Sequence, residues 1–157
     1  MNQTPSSKSP NDFSKDSPNN AQPTALYITQ GSYGIMSTVE LRSGTLYFSA
    51  TCDSEPEAIG SLNPKRRQSF RQTLEYLQAE QWQRRYINEN ALDGHQWEVK
   101  IAYADGPLIE SSGSNAYPGL LDLDYTVGRK QSLDWRLFTG AVVWLTEGRW
   151  NRGALEL

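Results

Sequence analysis

One stretch of alternating side chains constrains the fold of this chain more than any other. The segment GIMSTVELRSGTLYFSATCD (residues 34–53) contains the pair Ser43–Gly44, which suits a two-residue hairpin turn. That turn predicts one shared face with the opposed pairs Leu41–Leu46, Val39–Phe48, Ser37–Ala50 and Ile35–Cys52. Most of these pairs are apolar and the opposite face is polar, so the pattern predicts an antiparallel hairpin covered on one side. Cys52 is predicted to be a small, inert residue buried in that face.

Two segments have the spacing of amphipathic helices. The first covers residues 63–82, with Asn63 as cap and Pro64 at the first helical position. The second covers residues 132–148, with Ser132 as cap and Gly148 as its end. The predicted buried stripes are Phe70, Leu74 and Leu77 in the first helix, and Leu133, Leu137, Phe138, Ala141, Val142 and Leu145 in the second.

A second hairpin is predicted in QWEVKIAYADGPLIESSG (residues 96–113). A three-residue loop, favoured because proline cannot donate to a strand ladder, would pair Tyr103 with Ile109. A two-residue loop would pair Tyr103 with Leu108. Residues 86–90 fit a short edge strand or a loop. Together with a first strand at residues 26–30, the order predicts an α+β fold: an antiparallel sheet built from two hairpins plus an N-terminal strand, with both helices on one face.

Composition divides the chain and limits its class. Residues 1–24 are rich in Ser, Pro and Asn and are predicted to be a disordered tail, leaving residues 25–157 as a single domain. The single cysteine precludes an internal disulfide. The sequence has no apolar run long enough to span a bilayer and no apolar secretory segment, which favours a cytoplasmic protein. The net charge of −3 argues against non-specific DNA binding by the whole chain.

Catalytic chemistry has little support in the residue types. The chain has one histidine, His95, which could serve as a base in a hydrolase together with Asp93 or Ser111. The alternative is a polar residue between a turn and a strand. With one His and one Cys, neither a metal site nor a cofactor is predicted.

The first turn of the first helix is unusually basic. Lys65, Arg66 and Arg67 lie in it and Arg71 follows one turn later, although cations there oppose the helix dipole. Arg84 and Arg85 extend this set if the chain turns suitably. The cluster predicts a surface for an acidic protein partner, for nucleic acid or for another anion, the alternative being a solvated face.

Five tryptophans are many for a chain of this size. Trp97 fits the covered face of the sheet. Trp150 lies between Arg149 and Arg152, and tryptophan and arginine are typical anchors of interfaces. We therefore expect Trp150 at the surface, as part of a partner-binding site.

The segment SSGSNAYPGL (residues 111–120) has an unusual concentration of turn residues. Its candidate site residues are Gly113, Ser114, Asn115 and Tyr117, followed by a proline whose peptide bond is a candidate for the cis form. One interpretation is a fixed bend that redirects the chain. The other is a preformed loop whose backbone N–H groups grip an anion or a peptide.

The combination of DGHQWEVKIAYADG (residues 93–106) with SSGSNAYPG (residues 111–119) resembles small bacterial domains in which a DG-x-x-W strand leads to a GSNAYP bend. The resemblance implies a bacterial or phage origin and a bend that belongs to the scaffold, and it brings no catalytic residues. We therefore expect a non-catalytic protein-binding module of the immunity, inhibitor or adaptor type. Nucleic-acid or anion binding and a His95-centred hydrolase are the alternatives.

Overall fold

A computed structural model describes residues 22–32, 35–89, 94–106, 108–119 and 131–150. Residues 1–21, most of the predicted tail, lie outside the described residues. The strands are β1 (Ala25–Ser32), β2 (Ile35–Arg42), β3 (Thr45–Ser49), β4 (Glu57–Ser61), β5 (Arg85–Ile87), β6 (Gln96–Ala102) and β7 (Leu108–Ser114). The helices are α1 (Pro64–Tyr76) and α2 (Leu133–Leu145), and a 3₁₀ turn at Ala79–Gln81 follows α1. The predicted α+β class is confirmed.

The strands form one mixed sheet in the order β4-β3-β2-β1-β6-β7-β5. All neighbours are antiparallel except β5 and β7, which pair in parallel through Tyr86 and Gly113. The prediction of a wholly antiparallel sheet from two hairpins is therefore wrong. The physical reason is the route of the chain: β5 precedes the β6–β7 hairpin and adds to its outer edge, which fixes its direction relative to β7. The first strand, β1, lies at the centre of the sheet, between β2 and β6.

The first hairpin has the predicted register. Leu41 pairs with Leu46 and Val39 with Phe48, and Ser43–Gly44 forms the turn with positive φ at both residues. The ladder ends at Thr38, after which β2 continues beside β1 alone. Ile35 is therefore 63% exposed and Cys52 is exposed, so the prediction that both are buried on the apolar face is wrong.

The second hairpin has a longer connection than predicted. Ala102 pairs with Leu108 and Ile101 with Ile109, which leaves five residues between the strands and makes both predicted registers wrong. Tyr103 leaves the ladder because its ring turns into the core, 7% exposed, beneath the guanidinium of Arg71. The shift relative to the three-residue prediction is two residues, so each strand keeps its predicted faces.

The helix α1 begins as predicted and ends early. The Asn63 side chain accepts hydrogen bonds from the backbone N–H groups of Lys65 and Arg66, and Pro64 occupies the first helical position. The predicted buried residues Phe70, Leu74 and Leu77 are confirmed. The helix stops at Tyr76 because Gln78 takes a left-handed conformation, with a φ of 50°.

The helix α2 is rotated relative to the prediction. Its cap is confirmed, since the Ser132 hydroxyl accepts from the Trp135 N–H at 3.0 Å. Trp135 is fully buried and stacks on Trp97 with 4.4 Å between ring centroids. This contact turns Leu133 and Leu137 away from the core, so their predicted burial is wrong. The residues that α2 buries are Trp135, Phe138, Thr139, Val142 and Leu145.

The two helices cover one face of the sheet and run antiparallel to each other. Phe70 of α1 meets Phe138 of α2, with 6.3 Å between the ring centroids. The start of α1 reaches the end of α2, where Arg66 lies over the Trp144 ring. Neither helix of the described chain has the length and apolarity needed to cross a membrane.

Candidate functional site

The solvent side of α2 carries a second row of apolar residues, which we call the outer stripe: Leu133, Leu137, Gly140 and Trp144. The spacing of four, three and four residues places them along one face of the helix. The exposed fractions are 67% for Leu133, 41% for Leu137 and 56% for Trp144. The inner stripe (Trp135, Phe138, Val142 and Leu145) is on the opposite face and is buried. The helix is therefore apolar on both sides, and the sheet covers one of them.

A groove between the helices adjoins the outer stripe. Its volume is about 400 Å³. Tyr76 of α1, 79% exposed, stands at one side of it. The lining residues are uncharged: Ser69, Gln72, Thr73, Tyr76, Leu137, Ala141 and Trp144. Exposed aromatic and aliphatic groups that adjoin one another in this way are typical of docking sites.

Gly140 lies at the middle of the outer stripe, and the fold of the chain does not require a glycine there. A Cβ added at this position would meet no described atom within 4 Å. Glycine inside a helix costs about 1 kcal/mol relative to alanine. The stripe therefore has a notch at its centre that serves nothing else within the described chain.

The basic first turn of α1 lies at the Trp144 end of the groove. The guanidinium carbon of Arg66 is 4.5 Å from the centroid of the Trp144 ring, and its Nη1 donates to the Trp144 carbonyl. Arg66 thus caps the last turn of α2, where a cation is favourable. Lys65 is exposed, and neither it nor Arg67 forms an ion pair with a described residue. Of the predicted cluster, Arg66 is the residue that contacts the outer stripe.

Arg71, the fourth residue of the predicted cluster, points elsewhere. Its Nη1 and Nη2 donate to the two carboxylate oxygens of Asp105 at 3.2 and 3.3 Å, and its side chain is 12% exposed. It also lies over the Tyr103 ring, 4.5 Å from the centroid. Arg71 therefore ties α1 to the β6–β7 connection and does not extend the basic surface of Lys65, Arg66 and Arg67.

The other predicted interface residues also lie apart from that surface. Arg84 approaches Glu110 at 4.0 Å, and Arg85 begins the edge strand β5. Trp150 is fully buried, and its backbone N–H donates to the Thr146 hydroxyl at 3.0 Å. The expected surface position of Trp150 is wrong because the left-handed residues Glu147 and Gly148 fold the chain back onto the core. Trp144 occupies the exposed position instead.

His95 is the centre of a chain of part-buried hydrogen bonds. Its Nε2 lies 3.1 Å from Gln30 Oε1. Its other ring nitrogen, Nδ1, lies 3.0 Å from the Tyr117 hydroxyl. The Tyr117 oxygen also has a side-chain hydrogen bond with Gln131. Burial lowers the pKa of His95 to about 4 and raises the pKa of Tyr117 to about 12, so both are neutral at physiological pH.

The geometry around His95 differs from that of a hydrolytic site. Both ring nitrogens are bonded to neutral side chains, and the Ser111 hydroxyl donates to the Gln83 carbonyl at 2.6 Å. Asp93 lies outside the described residues. Among the residues the structure describes, no three His, Cys, Asp or Glu side chains group as metal ligands.

The bend at residues 111–119 is fastened to the strand entry beside it. The Asn115 side-chain oxygen accepts a hydrogen bond from the backbone N–H of His95, and the backbone N–H of Asn115 donates to the His95 carbonyl, both at 2.9 Å. Asn115 has the left-handed φ of 53° that its type tolerates. The peptide bond before Pro118 is trans. These bonds support the interpretation of the segment as a fixed bend.

Two further predicted loop residues serve the same fastening. A Cβ on Gly113 would lie 2.1 Å from Trp97 Nε1, the atom that donates to the Ala116 carbonyl at 2.9 Å. Only glycine therefore fits opposite Trp97. Ser114 accepts from the Asn88 N–H at 3.0 Å through its carbonyl. Tyr117, the fourth candidate, is 3% exposed.

Comparison of the chain with protein-family models, with curated proteins and with solved structures finds no match. The site is therefore interpreted from its own residues.

The sequence contains a signal for the outer stripe, but the periodicity of apolar residues in α2 does not separate the outer stripe from the inner one. Apolar residues surround α2, so the predicted stripe mixed members of both faces. The mid-helix glycine distinguishes the outer face of α2 from the inner one. A glycine that faces the core leaves a packing gap, and one that faces solvent lowers helix stability with no gain in packing. A glycine there, between Leu137 and Trp144, leaves room for a close approach to the helix.

Proposed function

We propose that the protein is a non-catalytic protein-interaction module that binds a helix of another polypeptide chain through the outer stripe of α2 and the adjoining groove. One observation carries the proposal: large apolar side chains at helical spacing are exposed around a glycine that their own fold does not use. An adaptor or inhibitor acts through such a surface without performing chemistry.

The side chains of this surface support the same proposal. Trp144 and Tyr76 are large aromatic groups, and Arg66 is held in place by its stacking on Trp144. Tryptophan, tyrosine and arginine contribute most often to the binding energy of interfaces. Because Arg66 is already ordered, little side-chain entropy is lost when a partner covers it.

The chemistry of the surface also restricts the partner. A helix that enters the groove meets uncharged side chains along its length and the cation Arg66 at one end. The complementary helix has an apolar stripe and acidic side chains at the matching end. Gly140 allows its backbone to approach closely.

The test compares retained partners across matched variants. Three forms of the protein are used to pull down binding partners from cell extract. They are the wild type, Leu137→Glu and the control Lys100→Glu, which lies on the opposite face of the sheet. The candidate partner is then purified and its affinity is measured for all three. We expect Leu137→Glu to abolish binding and Lys100→Glu to leave it intact. Equal affinity of all three variants would refute the docking surface.

A second candidate function rests on a different observation. The first turn of α1 holds three cations and no acidic residue, and Arg67 Nε is buried without a hydrogen-bond partner among the described residues. Such a turn can bind nucleic acid or another anion. Affinity for an oligonucleotide that falls steeply with salt and is lost in Lys65→Glu/Arg67→Glu would establish it. No binding at low salt would remove it.

A further inference from the structure

We propose that the outer stripe of α2 packs against the same stripe of a second copy of this chain, with the two helices antiparallel about a two-fold axis at Gly140. The inference rests on the proposed function, since it names the partner of the same surface. Three properties of the stripe support it: its shape, its flanking charges and the position of its glycine.

The shape of the stripe is its own complement. At a rise of about 1.5 Å per residue, Leu137 lies roughly 4.5 Å to one side of Gly140 and Trp144 roughly 6 Å to the other. A half-turn about Gly140 exchanges these two sides. It therefore sets Leu137 of each copy beside Trp144 of the other, and both bulky residues gain a large apolar neighbour.

The glycine lies where a symmetric pair needs the smallest residue. A residue on a two-fold axis contacts the same residue of the other copy, so two identical side chains must fit into the space there. Gly140 is open to solvent and has no described atom near its missing Cβ. Two helices can thus approach closely at this point, as small residues allow in other helix pairs.

The charges beside the stripe also match under this symmetry. Asp134 flanks the stripe on the α1 side near its start, and Arg66 lies on that side near its end. The half-turn brings Arg66 of one copy next to Asp134 of the other. This opposite-charge pair occurs twice.

A parallel arrangement would set like residues opposite each other, Leu137 on Leu137 and Trp144 on Trp144. The antiparallel arrangement instead sets each Trp144 beside the smaller Leu137 of the other copy, and this match of sizes favours it.

The first experiment measures the mass of the full chain in solution by light scattering and sedimentation across a wide concentration range. We expect a dimer for the wild type and for the control Lys100→Leu. Gly140→Leu, which improves helix propensity, should weaken the dimer roughly tenfold to hundredfold, because the added side chain blocks the approach. Circular dichroism checks that the fold is retained. A wild type that stays monomeric at every concentration would overturn the proposal.

A second experiment locates the axis. In a Cys52→Ser background, Gly140→Cys should form an intermolecular disulfide rapidly on oxidation, whereas the control Lys100→Cys should not. A dimer that Gly140→Leu leaves unchanged and that Gly140→Cys does not crosslink would place the interface elsewhere and refute the inference. A monomeric wild type that still loses another partner on Leu137→Glu would refute only the second copy and leave the proposed function in place.

Discussion

The two faces of α2 carry the same kinds of side chain and differ in what covers them. The inner stripe is at most 3% exposed, whereas the three large residues of the outer stripe are 41–67% exposed. A helix that is apolar all round is normally buried on all sides. The difference separates residues that hold the domain together from residues that are available to another chain.

The largest expected effect tests this separation on adjacent residues. Phe138→Ala removes a fully buried ring that contacts Trp135, with 5.3 Å between the ring centroids, and should lower the free energy of unfolding by about 3–5 kcal/mol. Leu137→Ala should lower it by only about 1 kcal/mol, because the side chain is 41% exposed. Urea unfolding at a concentration where the monomer dominates measures both. Similar losses in the two variants would end the distinction between the stripes.

The pH dependence of the free energy of unfolding tests the buried side of α2 at His95, whose ring contacts the ring of Trp135. Its folded pKa of about 4 lies below the ordinary value of 6.5, so the unfolded chain takes up the proton first. The contribution of His95 is complete above pH 6.5 and is lost as the pH falls through 4. It amounts to ~3 kcal/mol, on the conversion of about 1.4 kcal/mol per pKa unit.

The matched measurement subtracts the curve of His95→Gln from that of the wild type, which removes the contribution of the carboxylates. The difference in the free energy of unfolding should shrink between pH 6.5 and pH 4. A difference that stays constant over this range would show that the imidazole is not kept neutral by burial.

Two glycines allow the same comparison between a buried and an exposed position, with smaller expected changes in the free energy of unfolding. Gly113→Ala should destabilise the fold by about 1–3 kcal/mol, since the added Cβ collides with Trp97 and the Ala116 carbonyl. Gly140→Ala should instead stabilise the monomer by up to about 1 kcal/mol through helix propensity. Thermal unfolding of the two variants shows the sign directly. A loss of stability in the monomer of Gly140→Ala would mean that its own fold needs this glycine.

The sequence predicted the parts of the fold that local patterns determine. The Ser43–Gly44 turn, the Asn63 and Ser132 caps and the faces of the strands all follow from neighbouring residues. The position of β5 beside β7 depends on the route of the chain through space, which no local pattern contains. The rotation of α2 depends on the stacking of Trp135 on Trp97, residues far apart in sequence.

The candidate site was predicted less completely, for the same reason. Lys65, Arg66 and Arg67 were singled out because they oppose the dipole of α1, and Arg66 does lie beside the outer stripe. Arg71 has the same charge and helix, yet Asp105 holds it, and that contact depends on the second hairpin. Trp150 is buried, against the expectation, because the chain folds back after α2.

The smallest expected effect distinguishes two cations of the same turn. Arg66→Ala removes the stacking on Trp144 and the cap of α2, which should cost about 0.5–1 kcal/mol of unfolding free energy. Lys65→Ala should instead stabilise the fold by a few tenths of a kcal/mol, because it removes a cation that opposes the dipole of α1. Chemical unfolding at low salt measures both. Arg66→Lys keeps the charge without the planar stacking and should fall between them. If Arg66→Ala matched Lys65→Ala in sign, Arg66 would not be ordered by Trp144, and the argument that it enters an interface at little entropic cost would fail.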